Sequence, residues 1–221
     1  GSNRTPHHLT DRKRPNHRRK TYEKNRFTKK LLVLFLAIGV AFTSLPLSGL
    51  VASADDTAAL PKIWLDAGHG GTDRGAMGNG VIEQAVNLNV ANRLADLLRS
   101  NGYEVKQYRT TTTENVLPGK SADLTNRARM ANEWGADWFV SIHTNSSVNP
   151  AANGFEAYVY KLDSPAEPFA ESIVKSFVSR LGSKDNGVRA ANFAVLRQTR
   201  MPATLLELGY LSNPTEALNL N

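Results

Sequence analysis

From residue 62 onward, short apolar runs alternate with stretches whose apolar positions recur every three or four residues. The apolar runs predict strands at 62–66 (KIWLD), 103–109 (YEVKQYR), 138–143 (WFVSIH), 155–160 (FEAYVY), 192–197 (NFAVLR) and 203–208 (ATLLEL). Between the first two, Val86, Val90, Leu94 and Leu97 share one face, which predicts an amphipathic helix over 84–100 that stops at Gly102. Leu124, Ala128 and Ala131 mark a second helix. Ser164-Pro165 supplies an N-cap and a first-turn proline for a third, along which Phe169, Ile173, Phe177 and Leu181 line one side up to Gly182. Strand and helix in alternation predict an α/β fold: a single domain with a twisted, mostly parallel sheet of about six strands flanked by helices.

Residues 1–59 read differently. Residues 12–30 are cationic and run into LLVLFLAIGVAF at 31–42, which is short for a bilayer-spanning helix. Ala52-Ser53-Ala54 follows, a small-x-small pattern ahead of Asp55. Residues 1–54 are therefore read as a basic region and signal peptide, with an uncleaved membrane anchor as the alternative. Residues 55–60 are read as a linker, and 61–221 as the folded domain. Either reading places the domain outside the cytoplasm, and the membrane is met only through this segment. The absence of Cys agrees with an exported protein that does not rely on disulfides.

The net charge of +7 suggests a nucleic-acid partner until it is divided along the chain. Residues 1–30 hold 11 Lys/Arg against 2 Asp/Glu, which leaves 16 against 18 for the rest. The domain itself carries no basic excess, so no nucleic-acid partner is expected.

Candidate chemistry lies at strand ends. Asp66-Ala67-Gly68-His69-Gly70-Gly71 ends the first strand in a glycine-rich turn that presents His69. The spacing lacks the third glycine of a dinucleotide-binding turn. His143 ends the strand WFVSIH, so two imidazoles are expected at one sheet edge, where ligands of open α/β sheets bind. Imidazoles so placed are available to a metal, and a hydrolytic zinc site adds a carboxylate and keeps one position open. Glu83 stands just before the first helix, where it is either that carboxylate or an acid stabilising the helix dipole. Glu207 interrupts the apolar run ATLLELGY, and a carboxylate in a buried strand is costly unless paired or functional. Arg189, Asn192 and Arg197 are candidates for contacts to substrate carboxylates, with surface ion pairing as the alternative.

The motifs LDAGHGGTDRGA, SIHTNS, GFEAYVY and NFAVLRQTRMPATLLELGYLSNP, with Glu83 between the first two, resemble in order the zinc-dependent N-acetylmuramoyl-L-alanine amidases of the amidase-3 type, over about residues 61–216. The resemblance implies one Zn²⁺ per chain held by His69, Glu83 and His143, with Glu207 as the catalytic general base. It implies peptidoglycan as the substrate, cut at the amide between N-acetylmuramic acid and L-alanine. Zinc hydrolysis does not itself choose the bond, so a peptidase or deacetylase acting on another peptidoglycan amide is the nearest alternative. A non-catalytic wall-binding protein of the same fold is a further one. Ten residues separate His143 from Gly154, too few for the helical insertion that occludes zinc in Gram-negative division amidases. The family also continues after Leu211-Ser212-Asn213-Pro214 with a C-terminal helix, a layer expected to be incomplete in a sequence that stops at Asn221.

Overall fold

The structure is a computed structural model that describes residues 60–221. The signal-peptide and cleavage readings, and nearly all of the linker, lie outside the described residues. Strands β1 (Ile63–Ala67), β4 (Val105–Gln107), β5 (Trp138–Asn145), β6 (Phe155–Val159), β7 (Asp185–Ala190) and β8 (Ala203–Tyr210) form one sheet in the order β4-β1-β5-β8-β6-β7. All pairings are parallel except β6 with β8. A separate hairpin joins β2 (Met77–Gly78) to β3 (Val81–Ile82).

The helices are α1 (Glu83–Ser100), α2 (Lys120–Trp134), α3 (Ala166–Leu181), α4 (Ala194–Gln198) and α5 (Pro214–Leu220). Alternate residues of the central strands feed two cores, as the two-residue period of a strand requires. Ile63, Leu65, Val140 and Ile142 pack with Val90, Leu94 and Leu98 of α1 and with Phe169 and Ile173 of α3. Trp64, Phe139 and Leu205 face the other way, against Ala131 of α2 and Val195 and Leu196 of α4. The sheet is thus covered on both faces.

The helices expected at 84–100 and between Ser164-Pro165 and Gly182 form within a residue or two of those bounds, and the one marked by Leu124, Ala128 and Ala131 spans Lys120–Trp134. Gly182 ends α3 in the left-handed conformation at φ 68°, whereas α1 ends on Asn101 with Gly102 following at φ 86°. Ser164 does not cap α3: its hydroxyl donates back to the Lys161 carbonyl, and Glu167 instead accepts the Asp163 N–H. One predicted strand is overturned. Residues 192–197 hold the one-turn helix α4, because Val195 and Leu196 are buried side by side, and so short an apolar run carries no period that distinguishes strand from helix. The sheet's sixth member is instead β7, whose polar sequence DNGVRA suits an edge strand with no fully buried residue.

A helix does follow Asn213. The Asn213 side chain accepts the N–H groups of Thr215 and Glu216, Pro214 occupies the first turn, and Ala217 is buried against the sheet.

Candidate active site

Four turns and strand ends bring the predicted chemistry to one edge. His69 follows β1 in the left-handed conformation at φ 60°, which lifts its ring out of the strand direction. Its Nδ1 lies 2.8 Å from Asp73 Oδ2, and its Nε2 lies 3.2 Å from Glu83 Oε1. Glu83 is delivered by the β2–β3 hairpin, whose Asn79 and Gly80 both have positive φ, the signature of a two-residue hairpin turn. The hairpin is pinned to the domain by Asn79, whose amide donates to the Leu211 carbonyl at 2.8 Å. The chain passes from β3 straight into α1, of which Glu83 is the first residue.

The Glu83 carboxylate is fully engaged. Oε2 accepts the Ala76 N–H at 2.7 Å, while Oε1 lies 2.9 Å from His143 Nδ1 and accepts the Thr144 N–H at 3.2 Å. Burial pushes this carboxyl up, but the hydrogen bonds with His143 and His69 outweigh it and hold Glu83 well below the usual carboxylate range. Burial likewise lowers His69, and Glu83 and Asp73 together reverse the sign and raise it. The two imidazoles meet edge to face, 4.9 Å between centroids. One ligand atom from each of His69, Glu83 and His143 lies within 4.8 Å of the others.

The backbone is shaped around this group. A Cβ at Gly68 would stand 2.2 Å from His143 Nε2, and one at Gly75 would stand 2.5 Å from Glu83 Oε2. Two buried arginines, which the sequence reading did not single out, hold the His69 turn from beneath. Arg109 donates to the carbonyls of Ala67, Gly68 and Gln84. Arg127 donates to the carbonyls of Ala67 and His69 and to the carboxylates of Asp66 and Asp123. Burial and the neighbouring Arg127 bring Arg109 down to about 10, whereas the two aspartates overcome burial and raise Arg127.

Glu207 sits beside the ligand group. It is paired with His143 across β5 and β8, and with Glu156 across β8 and β6. Its Oε2 is buried without a hydrogen-bond partner. Burial first, then the Glu83 and Glu156 carboxylates, push Glu207 up to about 8. Arg189 reaches only Glu156 of these carboxylates, and a divalent cation held by two imidazoles and Glu83 would add positive charge beside Glu83 and Glu207. The nitrogen and oxygen donors suit zinc, and Asp73 behind His69 is the carboxylate that a zinc-bound histidine commonly carries on its other nitrogen.

A cavity of about 460 Å³ is lined by His69, His143 and Glu207 together with Asp73, Lys120, Phe193 and Val195. Arg189, Asn192 and Arg197 do not line it. Arg189 reaches to 3.5 Å from Glu156 Oε2, and Arg197 is hydrogen-bonded to the Asn192 side chain.

Residues 63–221 match the profile of a family described as N-acetylmuramoyl-L-alanine amidase. The chain belongs to that family. It is 36% identical over 160 residues to the N-acetylmuramoyl-L-alanine amidase CwlM of Bacillus licheniformis, covering 72% of this chain and 60% of that protein. It is 37% identical over 161 residues to the sporulation-specific N-acetylmuramoyl-L-alanine amidase of Bacillus subtilis strain 168, with the same coverage. The chain therefore spans about 60% of the length of these curated relatives. Among solved structures, the N-acetylmuramoyl-L-alanine amidase of Clostridium difficile 630 superposes with a TM-score of 0.66 at 32% identity, covering 74% of this chain and 87% of that one. The mostly parallel sheet with helices on both faces is the architecture of these amidases.

Proposed function

We propose that this protein hydrolyses the amide between N-acetylmuramic acid and L-alanine in peptidoglycan, with one zinc ion held by His69, Glu83 and His143. Bound there, zinc lowers the pKa of a water and polarises the scissile carbonyl. The observation that carries the reading is the buried, unpartnered Oε2 of Glu207 next to the three-ligand group in the cavity.

The protein's own residues then have separable tasks. Asp73 holds the His69 Nδ1 proton and so leaves Nε2 free to ligate. The Ala76 and Thr144 N–H groups hold the Glu83 carboxylate in orientation. Glu207 accepts a proton from the attacking water at Oε2 and passes it to the departing alanine nitrogen. Its placement in a β-strand rather than a loop keeps that oxygen fixed between the two events. Arg189 stands more than half exposed next to Glu156 and outside the cavity lining, and no substrate contact is proposed for it. Export through residues 1–54 belongs to the same reading, because the substrate lies outside the cytoplasm.

The reading is tested by digesting purified sacculi and labelling new amino termini. Zinc-loaded protein is expected to expose L-alanine α-amines, and Glu207→Gln protein is not. New reducing ends or new termini at other residues would instead indicate a glycosidase or a peptidase.

A further inference from the structure

Phe193 is a large apolar side chain left 39% exposed at the mouth of the cavity that holds His69, His143 and Glu207. It is not loosely placed. Its backbone is extended immediately before α4, whose Val195 and Leu196 are buried, and its ring stands edge-on to Tyr158, with centroids 5.2 Å apart and planes at 66°. Tyr158 is in turn fixed in β6, paired with Leu205 of β8 two residues before Glu207. The result is a rigid aromatic surface reaching from the sheet to the cavity rim. Asp73 and Lys120 add charge to the same lining, next to the apolar Val116 and Leu117.

Resting on the amidase reading, we propose that Phe193, braced by Tyr158, is the platform on which the pyranose ring of the muramyl residue lies. The scissile amide divides its substrate into two chemically distinct halves, and cleavage requires both to be seated at once. The peptide half carries carboxylates and needs charged or hydrogen-bonding partners. The sugar half presents a flat array of C–H bonds, whose positive edge matches the negative face of an aromatic ring. The exposed Phe193 therefore receives the sugar, which leaves the charged groups of the lining, Lys120 among them, to the stem peptide. A ring braced by Tyr158 gives this contact at low entropic cost, since less motion is lost on binding.

Two ligands with the same amide separate this role from support of α4: N-acetylmuramoyl-tripeptide, and lactoyl-tripeptide, which lacks the sugar ring. Their dissociation constants are measured by calorimetry on zinc-loaded Glu207→Gln protein, alone and combined with Phe193→Ala or Phe193→Tyr. The ring-bearing ligand is expected to bind more tightly to the Glu207→Gln protein, Phe193→Ala to reduce that preference about tenfold, and Phe193→Tyr to retain it. Equal weakening of both ligands in Phe193→Ala, or an unchanged preference, overturns the proposal. Binding without any turnover by the wild-type protein strikes the amidase reading alone, because the preference is still read in the binding data.

Discussion

At the scale of single residues, the account separates ligands from base. His69→Ala, Glu83→Ala and His143→Ala are each expected to abolish stoichiometric zinc by elemental analysis. Glu207→Gln should keep zinc and lose about 10²- to 10⁴-fold in turnover, the range that general-base catalysis contributes. Zinc lost from the Glu207 variant would mean that a ligand had been taken for a base. Glu207 also makes a prediction about stability. Its carboxyl is raised from 4.5 to about 8 in the folded, metal-free protein, so between these values the native state binds more protons than the unfolded chain. Stability from this group is therefore present below about pH 4.5 and is lost as pH rises through about 8. In metal-free protein the difference in Tm between Glu207→Gln and wild type should grow in favour of the variant from pH 5 to pH 9. A difference constant with pH would contradict this. Much of the site was legible at this scale. Two histidines at strand ends and a carboxylate inside an apolar strand are visible without coordinates, because each breaks the pattern around it. Arg109 and Arg127 were not, since a buried arginine looks like a surface one until the carbonyls it holds are known.

At the scale of elements, the turn after β1 depends on charges buried beneath it. Arg127 joins Asp66 and Asp123 to the carbonyls of Ala67 and His69, so its removal leaves the buried Asp66 carboxylate without its counter-charge. Arg127→Ala should destabilise the domain by about 3–5 kcal/mol in urea denaturation and weaken zinc binding in parallel. A variant as stable as wild type would show that the turn is held by its glycines alone. The elements were read with uneven success for a physical reason. Long helices such as α1 and α3 bury a stripe that repeats over four or five turns, so their period stands out. The five-residue α4 and the polar edge strand β7 bury too little to leave a period, so the first reads as a strand and the second as no element at all. The Asn79-Gly80 pair that delivers Glu83 is a turn signal present in the sequence itself.

At the scale of the whole molecule, three parallel strands and one antiparallel neighbour converge on a single edge, so residues as distant in sequence as His69 and Glu207 share one cavity. That convergence follows from topology, and the alternation of strands and helices predicts the parallel part of it. The proposal that residues 1–54 are a signal peptide carries its own test. Intact-mass analysis of secreted protein should show a chain beginning at Asp55, whereas a membrane-bound species retaining residues 31–54 would favour an anchor. The central claim is that this cavity cuts one bond with the help of zinc. Mass spectrometry of the material released from purified sacculi, with and without a chelator, tests it most directly. The account predicts intact stem peptides beginning at L-alanine, together with glycan strands stripped of peptide, and neither after chelation. Release that persists without metal, or fragments that keep muramic acid joined to L-alanine, would contradict it.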